Sequence, residues 1–122
     1  MKTSPIVSVI DDDEAVRRAT GSLLRSLGFS VRLFVSAEDF LKTDSAEVSA
    51  CVVSDVDMGG MSGIELLALL QQRASTTPFI FMTGLPEPAI RRQVGPEICI
   101  VQKPFKAEVL ASCIDRAILP AN

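Results

Sequence analysis

Five short apolar runs punctuate the chain, and each is followed by a stretch of helical periodicity. Ile6-Val7-Ser8-Val9-Ile10 is rich in β-branched residues and stops abruptly at Asp11-Asp12-Asp13. Val16, Leu23, Leu24 and Leu27 then recur at helical spacing, with Gly28 as the stop. Ser30 to Phe34 predicts a second, weaker strand. Ser36-Ala37-Glu38-Asp39 opens a short helix, with a serine cap and an acid three residues on. Ala50 to Ser54 is apolar on both faces, which predicts a central strand of a parallel sheet. Ser62-Gly63-Ile64-Glu65 carries a second capping signature and starts a Leu-rich helix to about Ala74. Pro78 introduces the strand Phe79-Ile80-Phe81-Met82. Between Leu85 and Gly95, Pro86 and Pro88 leave room only for a short helix, which Gly95-Pro96 closes. Ile98 to Val101 predicts the fifth strand. Lys103-Pro104-Phe105 then turns the chain into a last helix from about Lys106 to Leu119.

Strand and helix alternate five times, without internal repeats, low-complexity tracts or a linker. That order predicts an α/β domain over residues 1–122, a doubly wound parallel sheet with helices on both faces. Ligands of such sheets bind beyond the carboxyl ends of the strands, at the topological switch point.

Composition narrows the function classes. The 122 residues suit one domain, and 48% hydrophobic with 22% charged residues suits a packed core rather than disorder. Twelve basic and fifteen acidic residues leave a net charge of -3, so direct nucleic-acid binding by this chain is not expected. No apolar run approaches the ~20 residues that span a bilayer. The N-terminus lacks the pattern of a signal peptide, so the expected location is the cytoplasm. Cys51, Cys99 and Cys113 lie in apolar segments without CxxC spacing. Their odd number argues against a disulfide framework, and buried thiols are the expectation. The absence of histidine excludes His-based metal sites, Ser-His-Asp triads and Cys-His dyads. Chemistry here must run on carboxylates, hydroxyls, lysine and backbone.

Those groups gather where the topology puts a ligand. Strand one ends in Asp11-Asp12-Asp13, strand three in Asp55, strand four in Thr83 and strand five in Lys103. Crowded carboxylates repel, and a hard divalent cation such as Mg²⁺ resolves the repulsion. An aspartate beside Mg²⁺ can attack phosphorus, and lysine and threonine donors can stabilise the added phosphoryl oxygens. Each piece also has a plainer explanation. Asp13 and Glu14 read as helix-start residues. Asp55 and Thr83 each precede glycine-containing turns, and a lone lysine is usually just solvated. Placement of all of them at successive strand ends is much less expected by chance.

At this point the sequence resembles a receiver domain of two-component response regulators, particularly the receivers of nitrogen-fixation transcriptional regulators. The resemblance covers nearly the whole chain. It rests on Val-Ile-Asp-Asp-Asp-Glu at 9–14, Val-Val-Ser-Asp-Val-Asp-Met at 52–58 with Gly60-Met61-Ser62-Gly63, Phe-Met-Thr-Gly at 81–84, and Lys103-Pro104-Phe105. It implies a flavodoxin-like (βα)5 fold with strand order 2-1-3-4-5. It implies that Asp55 accepts a phosphoryl group from a sensor histidine kinase or a small phosphodonor. Asp11 and Asp12, the latter most directly, would hold Mg²⁺ together with Asp55 and the backbone carbonyl of Asp57. Thr83 would bind the phosphoryl oxygens, and Lys103 would pair with Asp55 and then with the phosphate. The Lys-Pro bond is usually cis in this family. The resemblance further implies Mg²⁺-dependent self-phosphorylation, slow autodephosphorylation and an output surface around the short helix after strand four, strand five and the last helix.

Several positions depart from the family pattern. Gly59 stands where proline is usual, which predicts a more mobile loop. Asp57 adds a carboxylate two residues after the acceptor. Ile100 replaces an aromatic residue that moves with the switch threonine in many receivers. Nineteen residues separate Thr83 from Lys103, fewer than is usual, so the helix between them is expected to be short or displaced. The tail Leu119-Pro120-Ala121-Asn122 carries no effector, which suits a stand-alone receiver or one belonging to a larger regulator. In the second case the resemblance suggests a helix-turn-helix output. A phosphorylation-dependent homodimer is compatible with this reading, though no residue argues for it.

Three other readings compete. Asp55-x-Asp57, Thr83 and Lys103 resemble a haloacid-dehalogenase-like phosphatase. There, however, the acidic metal pair follows the lysine, the phosphatase core is longer, and here Asp11-Asp12 come first. An EF-hand would need Glu where Leu66 stands. A pseudo-receiver, with the fold but little phosphorylation, would bind its partner equally well after Asp55→Asn.

Overall fold

The computed structural model describes residues 4–118. It has five strands: β1 (Ile6–Ile10), β2 (Ser30–Phe34), β3 (Cys51–Ser54), β4 (Phe79–Thr83) and β5 (Cys99–Gln102). Six helices connect and cover them: α1 (Glu14–Ser26), α2 (Ala37–Leu41), α3 (Ser45–Val48), α4 (Gly63–Gln72), α5 (Glu87–Val94) and α6 (Ala107–Ile118). All strand pairs are parallel, and the sheet order is β2-β1-β3-β4-β5. This is the flavodoxin-like architecture expected from the sequence. The order reverses beside β1, so a crevice opens at the carboxyl ends of β1 and β3.

Strand periodicity explains why both faces are apolar. Ile10, Val52 and Phe81 face one way, into a core shared with Phe40, Leu66 and Ile90. Val9, Val53, Ile80 and Met82 face the other way, toward Leu24, Leu110 and Ile114. β3 is buried at every residue, as its unbroken apolar run predicts.

Local chemistry starts the helices where the sequence places the signals. Asp13 caps α1 by accepting from the Val16 amide, and Ser36 caps α2 by accepting from the Asp39 amide. At α4 the capping box is complete, with Ser62 and Glu65 each accepting the other's backbone N–H.

The structure differs from the sequence reading in three places. Leu27 follows α1 as its cap and is 46% exposed, because Gly28 turns the chain away with a φ of +97°. The single turn α3 was not anticipated. It forms because the Thr43 hydroxyl accepts from the Ser45 amide at a polar, non-periodic stretch. Of the three cysteines expected as buried thiols, Cys51 is one, but Cys99 and Cys113 are joined as a disulfide between β5 and α6. The last helix is described to Ile118, and the predicted end at Leu119 lies outside the described residues, as does the tail. No described helix is long and apolar enough to cross a membrane.

Candidate functional site

Parallel pairing delivers charged residues to one edge. β1 runs directly into Asp11, whose amide donates to the Phe34 carbonyl at the end of β2. β3 runs into Asp55, whose amide donates to the Ile10 carbonyl at 2.9 Å. β5 runs through Gln102 into Lys103, whose amide donates to the Thr83 carbonyl at 2.7 Å. The sheet ladder thus continues one residue past each strand and fixes the backbones that carry the charges.

The side chains meet in a compact ion cluster. Lys103 Nζ lies 2.9 Å from Asp11 Oδ2 and 3.2 Å from Asp55 Oδ2, donating to both. Asp11 is fully buried, and its other oxygen accepts from the Asp13 amide. Asp55 is partly buried, and its other oxygen accepts from the Val56 amide at 2.7 Å. Arg17 on α1 donates to the Asp11 carbonyl, adding a cation just behind the cluster.

Burial raises the Asp55 carboxyl above the ordinary carboxylate range, because desolvation and the neighbouring Asp11 charge outweigh the attraction of Lys103. Burial alone would pull the Lys103 ammonium down. Its hydrogen bond to Asp11 and the two facing carboxylates overcome that and leave it raised. Desolvation thus leads at Asp55, whereas the two facing carboxylates prevail at Lys103.

Asp12, exposed at the rim, completes a trio. One oxygen from each of Asp11, Asp12 and Asp55 lies within 4.8 Å of the others. Three hard oxygen donors with excess negative charge, open to solvent through Asp12, fit a hard divalent cation such as Mg²⁺. Asp57 is exposed, and its carboxylate is not part of this trio among the described residues.

The loop after Asp55 has its own supports. Gly63 packs so tightly on the Asp55 carbonyl that a Cβ there would overlap it. The Gly63 amide donates to the Val56 carbonyl, closing the loop. Gly59 adopts φ +82°, a conformation that proline cannot take, which accounts for glycine at this departure from the family pattern. The Met61 amide donates to Glu38 on α2 at 3.0 Å, and this bond lowers the Glu38 pKa.

Thr83 is buried and joins the cluster through its backbone. Its hydroxyl accepts from the Leu85 amide at 3.0 Å. Gln102 donates to the carbonyls of both Thr83 and Leu85, clamping the start of the β4–α5 loop to β5. The Lys103–Pro104 bond is cis. Ile100 is nearly buried and packs in the same core as Ile90 of α5.

Sequence reasoning brought Asp11, Asp12, Asp55 and Lys103 to one edge, and the structure gathers their side chains there. It did not single out Gln102, Glu38 or Arg17. A polar residue closing an apolar strand, immediately before Lys103, was a usable signal for Gln102. Glu38 and Arg17 act across the fold, and neither spacing nor residue type reveals that.

The sequence matches the family of response regulator receiver domains over residues 7–115. The chain is 39% identical to the transcriptional regulatory protein FixJ of Bradyrhizobium diazoefficiens, matching over 100% of this chain and 60% of that protein. It is 34% identical to the response regulator protein TodT of Pseudomonas putida, over 93% of this chain and 51% of that protein. The chain therefore spans about half to three-fifths of the length of these relatives. Among solved structures, the response regulator StyR is similar with a TM-score of 0.82 at 36% identity, covering 95% of this chain and 60% of that one. Vibrio cholerae chemotaxis protein CheY4 shares the fold, with a TM-score of 0.84 at 22% identity over 94% of this chain and 99% of that one. The chain belongs to the response regulator receiver domain family.

Proposed function

From that family membership, we propose that residues 1–122 form one receiver unit that accepts a phosphoryl group on Asp55 in the presence of Mg²⁺. The observation that carries this is the bridge of Lys103 between Asp11 and Asp55, with Asp12 at the open side. Asp11, Asp12, Asp55 and the backbone carbonyl of Asp57 would hold the cation. When bound, it supplies positive charge that screens the carboxylates from each other and from an incoming phosphate.

An Asp55 carboxylate oxygen attacks phosphorus, and the bond from phosphorus to the donor breaks. The donor leaves with the electron pair: the imidazole of a sensor histidine kinase, or acetate from acetyl phosphate. Lys103 already points its ammonium at Asp55, so it follows the carboxylate's charge onto the phosphoryl oxygens. The Thr83 hydroxyl accepts from the Leu85 amide and keeps its own hydrogen to donate, so drawing it onto a phosphoryl oxygen pulls on the β4–α5 loop. That loop leads into α5, so the change is read on the surface of α5, β5 and α6. Water later hydrolyses the acyl phosphate and resets the domain. The partners are a sensor kinase in the cytoplasm and an output element. The FixJ relatives are transcriptional regulatory proteins by name, which supports a transcriptional output.

The test is intact-protein mass after incubation with acetyl phosphate, or with a cognate kinase, with and without Mg²⁺. Wild type should gain one phosphoryl mass only with Mg²⁺, and Asp55→Asn should gain none. Labelling that persists in Asp55→Asn, or no labelling from either donor, would overturn the assignment.

A further inference from the structure

β5 and α6 carry two of the three cysteines, and the fold sets them against each other. Cys99 begins β5, and Cys113 lies on the buried stripe of α6 with Leu110 and Ile114. Their Cα atoms are 6.4 Å apart, within the span that a disulfide requires, and the sulfurs are joined. The covalent loop closed by this bond contains Lys103, the ammonium of the ion cluster.

Two features of the surroundings suit exchange rather than a sealed crosslink. Cys99 is only partly buried, and both cysteines line an open cleft of about 750 Å³ with Phe79, Arg91, Ile98 and Arg116. Arg116 Nη2 lies 3.7 Å from the Cys113 sulfur. A guanidinium beside a sulfur favours the thiolate, the form that attacks disulfides. Cys51 provides the contrast. It is fully buried in β3, outside that cleft, and burial pushes its thiol up to about 12.

We propose that Cys99 and Cys113 are a reversible dithiol–disulfide pair, exchanging with a low-molecular-weight disulfide such as oxidised glutathione, that locks β5 to α6 around Lys103. The accessible Cys99 thiolate attacks one glutathione sulfur. That disulfide bond breaks, and one glutathione thiolate leaves. Cys113 then attacks the Cys99 sulfur of the mixed disulfide and expels the second glutathione thiolate. The two cysteines lose two electrons and two protons, and two molecules of reduced glutathione carry them away. Reduction runs the same steps backwards. The oxidised form removes freedom from the chain on both sides of Lys103, and the reduced form restores it.

The full chain is equilibrated without oxygen in buffers of varied reduced-to-oxidised glutathione ratio. It is then quenched in acid, denatured, alkylated with N-ethylmaleimide and weighed. The expected result is a direct passage from three adducts to one, with both species populated within the range of ratios. Cys51→Ala should keep that two-adduct loss. Cys99→Ser should abolish it, and because Cys99 is partly exposed this variant is the one expected to fold. The oxidised wild type should also melt several degrees above the reduced form, with no such difference in Cys99→Ser. Three adducts at every ratio, one adduct even in excess reduced glutathione, or a stable glutathione adduct as the end point would each overturn the proposal.

Discussion

Helices α4 and α5 follow adjacent strands and press on the same face of the sheet, yet they are held there by different forces. α4 starts with a complete capping box and buries Gly63, Leu66, Leu67 and Leu70. α5 starts at Pro86 with no side-chain cap and fully buries one side chain, Ile90. Val94 adds a partly buried apolar contact with the same core, and the other ties are polar. Arg91 pairs with Glu87 and donates to the carbonyls of Gly95 and Ile98, and water competes for such bonds. The difference divides labour. α4 braces the Asp55 loop through Gly63, where a shift would misplace the acceptor. α5, tied through the Thr83–Gln102 clamp, is the element that a small change at the site can move.

Core truncations break the comparison most forcefully. Leu66→Ala should cost about 3 kcal/mol, because the packed core around α4 cannot collapse into the cavity. It should lower the urea midpoint of the whole domain. Ile90→Ala should cost less, about 2 kcal/mol, and should free the amides of 87–94 to exchange while α4 stays protected. Equal global losses from both, with α5 still protected, would show that the two helices are held alike.

Removing Lys103 sharpens the account of the site. Lys103→Ala leaves Asp11 and Asp55 facing each other without a counter-charge and should cost about 2 kcal/mol, less than a fully buried pair because the ammonium is partly exposed. Added Mg²⁺ should recover much of that loss, since the folded state binds it and the unfolded chain does not. The variant should still bind Mg²⁺ but no longer transmit phosphorylation. A thermal melt with and without Mg²⁺ checks the first part; a loss that Mg²⁺ leaves untouched would count against a cation at the trio.

The alternation of strand and helix was legible because each apolar run carries its own stop: Asp11, Asp55, Gly84 and Lys103 all follow strands directly. The edge chemistry was legible for the same reason, since parallel topology sends every strand end to one side. What stayed hidden depends on distance in the chain. Cys99 and Cys113 are 14 residues apart and meet only because α6 packs back on β5. Glu38 reaches the Met61 amide across 23 residues, though in sequence it is just an acid in a first helical turn. Leu27 fits the helical period yet lies beyond the last turn, where the cap rather than the period decides its exposure. The turn α3 depends on a threonine hydroxyl at a place where no period exists to read.

Smaller effects test the local devices. Ser62→Ala should cost about 1 kcal/mol by removing one arm of the α4 capping box. Its signature would be faster exchange at the Glu65 amide, and an unchanged rate there would contradict the assigned cap.

The smallest effect concerns pH. In the folded protein Asp55 is raised, so between its unfolded and folded values the native state holds the extra proton. Stability therefore falls as pH rises through that window. Asp55→Asn removes this dependence. The variant should be more stable than wild type at neutral pH, by about 1 kcal/mol or less, and the advantage should vanish below the ordinary carboxylate range. Urea titrations of both proteins across that range measure it, and a variant less stable at neutral pH would reverse the sign.

Hydrogen exchange of α4 and α5 before and after phosphorylation tests the central claim most directly. With Mg²⁺ and acetyl phosphate, or a cognate kinase, wild-type protein labelled at Asp55 should change its exchange at 87–94 and in the Thr83–Leu85 loop. Residues 63–72 should stay as they were, and phosphorylated Lys103→Ala should show no change at α5. Unaltered exchange at α5 in phosphorylated wild type, or an equal change in both helices, would contradict the account.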